Sequence, residues 1–265
     1  MVPKLELIHC KPVGTPNGPP ILLVHGGWCG AWCWEYGFID KLTELGWEVY
    51  ALSLRGHGKS EGRDKLRWAS IKNYVDDVRS VADSLPTPPL IVGHSMGGFV
   101  LQRYLTKGHP AAAAVLIAPV PAAGIRGFTM RLIRRHPRVW LRCYLTLSLM
   151  PVVEKPDHFR EWVLGPETTE ERVLEMHSHL QDESFRAVVD MTFALPPRRK
   201  DIPAIPMTVI AGENDAIFTV KGAQSTARRF GVTAHVVPGM PHGLLEPHWR
   251  DEVAERIDKF ARSTT

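Results

Sequence analysis

The stretch Leu90-Ile91-Val92-Gly93-His94-Ser95-Met96-Gly97-Gly98 leaves this chain few folds to choose from. Leu90 to Val92 is a short apolar run after Pro88-Pro89, which predicts a buried strand. Gly93-x-Ser95-x-Gly97 follows, the G-x-S-x-G pattern in which a strand passes sharply into a helix and a serine is presented at the bend. Such a turn strains the serine backbone, and a side chain at Gly93 or Gly97 would collide with it. Gly98 to Leu105 reads as the helix that follows. Ser95 is thereby expected at a helix N-terminus, where free N–H groups and the helix dipole favour a developing negative charge. Alone, the pattern also describes a glycine-rich turn with an idle serine; the strand before it and the helix after it are the context that distinguishes the two.

A chain of 265 residues is long enough for one large α/β domain, with or without an insertion. A net charge of +4, with no basic run interleaved with aromatics, argues against a nucleic-acid partner. No apolar stretch approaches the roughly 18 residues of a membrane span, and the first residues lack the apolar core of a signal peptide. The four cysteines, Cys10, Cys29, Cys33 and Cys143, form neither a disulfide framework nor a zinc spacing. Cys29-x-x-x-Cys33 reads as small packing residues. A cytoplasmic, reduced protein is the expectation.

Apolar runs mark the other strands. Lys4 to Cys10 alternates as an edge strand does, and Ile21 to His25 is a fully apolar central parallel strand ended by Gly26-Gly27. A tryptophan-rich helix is expected from Trp32 to Leu45, then a strand from Trp47 to Ser53 and a tight loop from Arg55 to Ser60. Ser70 is placed to cap a helix reaching Leu85. Ala113 to Ala118 is another buried strand. From Val120 to Arg199 there are helical stretches and no convincing strand. The alternation resumes with Met207 to Ala211, a helix from Val220 to Phe230, a strand from Ala234 to Val237 and a last helix from Asp251 to Ala261. Strand-helix alternation at these spacings predicts a mostly parallel sheet with right-handed crossovers. Residues 1–119 and 200–265 are thus expected to form an α/β core, and 120–199 a helical cap inserted in it.

A serine hydroxyl near neutral pH needs a base, the base needs an orienting acid, and the oxyanion needs donors. Gly212-Glu213-Asn214-Asp215 follows one strand end and Pro238-Gly239-Met240-Pro241-His242 another, both at the sheet edge where Ser95 opens. Asp215 and His242 are the expected acid and base, with Glu213 as the rival acid. No Asp or Glu lies between Ala111 and Val153, so no acid follows the preceding strand. The N–H groups of Met96 and Gly27 are the expected oxyanion donors, with Trp28 as the alternative to Gly27. His94 reads as a packing residue of the turn, and His57 and His177 as surface.

These residues resemble the α/β-hydrolase superfamily, and the resemblance spans nearly the whole chain. His25-Gly26-Gly27 is similar to its oxyanion loop, and Gly93 to Gly98 to the nucleophile elbow of its esterase, lipase and monoacylglycerol-lipase branches. Arg55 to Ser60 is similar to its D-x-R-G-x-G-x-S loop, with Ser53 standing where Asp is usual. The proline usual a few residues after the acid is absent; Ile217-Phe218-Thr219 stands there. Ser95 argues against dehalogenases and epoxide hydrolases, which place Asp at the elbow. His25 to Trp34 is also similar to plant methylesterases and hydroxynitrile lyases. The lyases carry a lysine after the histidine, and here that residue is Gly243.

The resemblance implies an α/β-hydrolase fold and a serine hydrolase acting on carboxylic esters with an apolar acyl or alcohol part, without metal or organic cofactor. Lactone, thioester or C–C hydrolysis and perhydrolysis use the same residues, and a ligand receptor on this fold is a reading of a different class. Rapid turnover of simple esters separates an enzyme from a receptor. The inserted block is rich in large apolar residues; Leu141 to Met150 is apolar on nearly every face and is expected to be buried or to line a pocket. Trp28, Trp140 and Leu145 are the candidate pocket residues. Arg126, Arg131, Arg134, Arg135, Arg138 and Arg142 crowd the same region, either as a solvated face or as a weak contact to an anionic surface. Because the core strands are complete without the block, its removal is expected to change selectivity more than chemistry.

Overall fold

The computed structural model describes residues 3–244 and 246–264. Seven strands form one sheet: β1 Leu7–Cys10, β2 Ile21–Val24, β3 Val49–Leu52, β4 Leu90–His94, β5 Ala113–Ile117, β6 Met207–Gly212 and β7 Ala234–Val237. Their spatial order is β1-β3-β2-β4-β5-β6-β7, and every pairing is parallel except β1 with β3. The unbroken apolar runs follow from burial on both faces: Leu22 and Val24 enter the core on one side, Ile21 and Leu23 the core on the other.

The helices are α1 Phe38–Glu44, α2 Ile71–Ala82, α3 Met96–Thr106, α4 Arg126–Arg135, α5 Pro137–Thr146, α6 Pro156–Phe159, α7 Glu170–His177, α8 Phe185–Thr192, α9 Val220–Phe230 and α10 Pro247–Arg262. α4 to α8 all lie between β5 and β6. Ser70 caps α2 in a reciprocal capping box with Asn73. The single helix expected from Trp32 to Leu45 is instead a 3-10 turn, Ala31–Trp34, followed by α1; Gly37, at φ +86°, separates them. α10 begins four residues before the expected Asp251, because Pro247 needs no N–H partner in a first helical turn.

α5 departs from the sequence expectation. Cys143 is its buried residue, while Leu141, Tyr144 and Leu145 are 49%, 46% and 76% exposed. The segment is apolar in composition, but only one stripe of it meets the core. No described helix is long and apolar enough to cross a membrane.

β2 has β3 on one side and β4 on the other, so the direction in which the chain adds strands reverses there. In open α/β sheets the ligand crevice lies at the carboxyl ends of the strands at such a point. Val24 of β2 pairs with Gly93 of β4, which brings Gly26-Gly27 level with Ser95.

Candidate active site

Ser95 stands between β4 and α3 at φ 53° and ψ −115°. A non-glycine residue held there stores about 1–3 kcal/mol of strain. Its surroundings enforce it: Ser95 N–H donates to Ile117 O at 2.9 Å, and Ser95 O accepts from Val120 N at 3.1 Å. A Cβ on Gly93 would lie 2.6 Å from Gly97 O, and one on Gly97 would lie 2.4 Å from Val24 O, so only glycine lets α3 approach β2 and β4 this closely.

Asp215 follows β6 and His242 follows β7; the two strands are neighbours, and Asn214 N–H donates to Met240 O at 3.0 Å to join the loops. Ser95 Oγ donates to His242 Nε2 at 2.9 Å, and His242 Nδ1 donates to Asp215 Oδ2 at 2.8 Å. The side chains of Asp215 and His242 are 2% and 3% exposed. Asp215 Oδ1 accepts from the N–H groups of Ile217 at 2.8 Å and Phe218 at 2.7 Å. Both amides are needed to hold the carboxylate, which accounts for non-proline residues at those two positions. Thr219 then caps α9. Glu213 is exposed and accepts from Gly239 N–H, so it braces the neighbouring turn.

His94 packs against His242. Its Nε2 donates to the carbonyl of His242 at 2.9 Å, and burial together with the neighbouring His242 pushes its pKa down to about 3. It therefore stays a neutral imidazole that fixes the His242 backbone. Gly243 N–H donates to Val163 O at 2.8 Å, and a Cβ there would lie 3.1 Å from the same oxygen. A lysine at 243 would press against that carbonyl, whereas glycine fits.

Gly27 and Met96 line a cavity of about 60 Å³ together with Ser95. Its other walls include Trp28, Phe128, Leu149, Val188, Met191 and Phe218. Trp28 is held at φ +62°; its carbonyl accepts from Gln181 N–H at 3.1 Å and its indole donates to Leu149 O at 3.2 Å. Of the pocket candidates, Trp28 lines the cavity. Leu145 faces solvent, and Trp140 packs on Tyr144 with ring centroids 4.9 Å apart and is partly buried against the core; neither is among the residues lining this cavity. The walls come from segments far apart in sequence, and no local signal marks them.

The loop after β3 is also pinned. Arg55 makes a charged pair with the fully buried Asp77 of α2. Where the family usually has Asp, Ser53 donates to Glu6 at 2.7 Å, and Glu6 also accepts from Lys59 N–H at 2.9 Å. A carboxylate from the segment before β1 thus serves this loop. His57, expected at the surface, is completely buried. It donates from Nδ1 to Arg55 O and from Nε2 to Glu183, each at 3.0 Å. Glu183 was not anticipated from the sequence: it stands beside Asp182 in the segment between α7 and α8, and only folding brings it to the cavity wall.

A family model described as the alpha/beta hydrolase family matches residues 21–256. This chain belongs to that family. It is 30% identical over 266 residues to a non-heme chloroperoxidase of Streptomyces lividans, covering 91% of each protein. It is 24% identical over 249 residues to a monoacylglycerol lipase of Mycolicibacterium smegmatis, covering 88% of this chain and 85% of the relative. Among solved structures, the esterase RhEst1 of Rhodococcus sp. ECU1013 superposes with a TM-score of 0.72 at 20% identity, covering 98% of this chain and 95% of that one. A bromoperoxidase of Bacillus anthracis superposes with a TM-score of 0.69 at 20% identity, covering 97% and 96%. At these identities the structures establish the shared α/β-hydrolase fold and no more.

Proposed function

We propose that this chain is a serine hydrolase that cleaves carboxylic esters with an apolar acyl or alcohol part through an acyl-enzyme. The observation that carries the reading is the hydrogen-bonded chain from Ser95 through His242 to Asp215, in a hydrolase-family fold, at the mouth of a largely apolar cavity. Ser95 Oγ attacks the ester carbonyl while His242 Nε2 takes its proton. Asp215 holds the imidazole in the tautomer with Nδ1 protonated and offsets the charge that forms on it. The N–H groups of Met96 and Gly27 receive the oxyanion; Met96 opens α3, so the helix dipole adds to its effect. His242 returns the proton to the leaving alkoxide, then activates water for deacylation.

In this reading residues 120–199 are a cap over the cavity, and no metal or organic cofactor takes part. The small, largely apolar cavity of about 60 Å³ beside Ser95 supports a short acyl group. The four free thiols support a cytoplasmic location. Similarity to a named peroxidase favours one second reading, perhydrolysis, in which hydrogen peroxide replaces water at the acyl-enzyme.

The test is a series of p-nitrophenyl esters of graded acyl length, assayed with the wild type and Ser95→Ala. The wild type should hydrolyse the short esters and Ser95→Ala should not. Turnover no faster than that of Ser95→Ala across the whole series would reject the reading. Peracid formed from acetate and hydrogen peroxide, faster than ester hydrolysis, would select the second one.

A further inference from the structure

The cavity beside Ser95 contains one charged group from its walls, and that group is not used by the hydrolytic mechanism. Glu183 is 4% exposed and lines the cavity with Ser95, Gly27 and Trp28. A buried carboxylate is expensive unless its oxygens are satisfied. Glu183 Oε1 is filled: it accepts from Tyr74 O–H at 2.9 Å and from Ser184 N–H at 2.6 Å. Among the described residues, Oε2 accepts from His57 Nε2 alone, at 3.0 Å. A carboxylate oxygen can take two donors, so Oε2 has one acceptor position left.

Oε2 is the carboxylate oxygen nearer Gly27, which lines the cavity. A Cβ on Gly27 would sit 3.5 Å from Oε2 and 3.9 Å from Glu183 Cγ, so the carboxylate faces the backbone of the expected oxyanion donor across the space a side chain would otherwise fill. A carboxylate needed only to fasten the inserted helices to the core would be closed off within their seam. This one borders the space next to the reacting serine.

We propose that Glu183 is a specificity-determining residue, whose Oε2 accepts a hydrogen bond from a hydroxyl on carbon 2 or 3 of a short acyl group bound in this cavity. The inference rests on the ester-hydrolase reading above and narrows its substrate to short hydroxyacyl esters. The acyl half is the relevant one, because the cavity is bounded by Ser95, Gly27 and Met96, and the acyl group is what stays on Ser95 with its oxygen toward the other two. The donor is a hydroxyl and not an ammonium. His57 donates from both ring nitrogens, so it is an imidazolium and the Glu183–His57 pair is neutral. Burial pushes the His57 pKa down and that of Glu183 up, but their mutual attraction, with the hydrogen bonds to Arg55 O, Ser184 N–H and Tyr74 O–H, leaves His57 raised and Glu183 lowered, which favours the ionised pair. A second cation would leave a net charge buried in apolar walls, whereas a hydroxyl brings none.

The experiment compares kcat/KM for ethyl butyrate, ethyl 2-hydroxybutyrate, ethyl 3-hydroxybutyrate and ethyl 3-methoxybutyrate, each divided by its rate of alkaline hydrolysis. The wild type should favour the better hydroxy ester over butyrate by about tenfold or more, the size of a hydrogen bond to a charged group. The methoxy ester, which cannot donate, should be no better than butyrate. In Glu183→Gln the amide O can serve Tyr74 and Ser184 while its NH2 faces His57 and the cavity, so the acceptor becomes a donor and the preference should fall to within about threefold. Glu183→Asp keeps the charge but withdraws it by one methylene, and should lose the preference too. A wild-type ratio near one, a methoxy ester as good as the hydroxy ester, or an undiminished ratio in either folded variant would overturn the proposal. The wild-type comparison decides by itself if neither variant folds. Ester turnover that depends on Ser95 but ignores the hydroxyl overturns this inference alone; no Ser95-dependent turnover of any ester overturns the ester-hydrolase reading with it.

Discussion

The backbone N–H of Gln181 donates to the carbonyl of Trp28 at 3.1 Å, so a residue between α7 and α8 holds the loop that carries Gly27. Gln181 also accepts from Gly58 N–H at 2.8 Å and donates to Gly56 O at 3.0 Å, and Ser184 Oγ reaches Ala69 O at 2.6 Å. The segment from 181 to 184 is a polar seam between the inserted helices and the loops around the cavity.

Excising residues 120–199 should therefore damage chemistry as well as selectivity. The strand pattern suggests the milder outcome, but Trp28 is held in a left-handed conformation that its contacts to Gln181 and Leu149 sustain. Losing one oxyanion donor costs about 10²–10³-fold in kcat. A soluble truncated protein that hydrolyses acetate esters within a few-fold of the wild-type kcat would contradict this. Trp28→Phe, which removes the indole donor to Leu149 O and part of one cavity wall, should lower kcat/KM for short esters by a small factor.

Ser95→Ala should lower kcat/KM for short esters by about 10⁴-fold or more and abolish labelling by a fluorophosphonate. Its circular dichroism and melting temperature should stay close to wild type, since alanine relieves no packing and keeps the turn. Full labelling of the variant would remove Ser95 from the chemistry.

Asp215→Asn should reduce kcat by about 10³–10⁴-fold, because the amide disfavours the histidine tautomer that can accept the serine proton. Glu213→Gln should stay near wild-type rates, since the Glu213 carboxylate braces the turn at Gly239. Reversed effects would mean that the acid has been misassigned.

Val188→Phe should fill part of the cavity and depress kcat/KM for butyrate or longer esters by tenfold or more relative to acetate. Leu145→Ala should leave the acyl-length profile unchanged, because Leu145 is in solvent. A profile that responds to Leu145 and not to Val188 would move the acyl site elsewhere.

Acid should destabilise the fold through two buried histidines. His25 donates from Nδ1 to Gly26 O and accepts at Nε2 from Leu54 N–H, so it is held neutral; burial and the neighbouring His57 bring its pKa to about 3. His94 is likewise near 3, against an ordinary value of 6.5. Between those values the unfolded chain binds more protons than the folded one, so stability is full above 6.5 and is lost progressively as pH falls toward 3. The urea midpoint should drop across that window, with a shallower slope in His94→Asn. An identical slope in the variant would show that His94 is not a contributor.

Much of the candidate site was legible in the sequence because it is written in local backbone requirements. A strand of fully buried residues, two glycines flanking Ser95 and a helix behind it specify one kind of turn, whatever surrounds it. The order of Ser95, Asp215 and His242, each just past an apolar run, follows from parallel strands that all end at one edge. Cavity walls carry no such signature. Phe128, Leu149 and Val188 meet at Ser95 because helices between β5 and β6 fold back over the sheet, and helical periodicity says which side of a helix is apolar but not what it will face. That is why α5, apolar by composition, turned Leu145 outward. His57 and Glu183 show the same limit for charge: either alone reads as surface, and burial is possible only because tertiary contact gives each the partner that offsets its desolvation. The sequence by itself determined the elbow, the parallel sheet and the residues proposed to carry the chemistry. Only the tertiary structure decided which residues enclose the cavity beside Ser95, because enclosure depends on contacts between segments far apart in the chain.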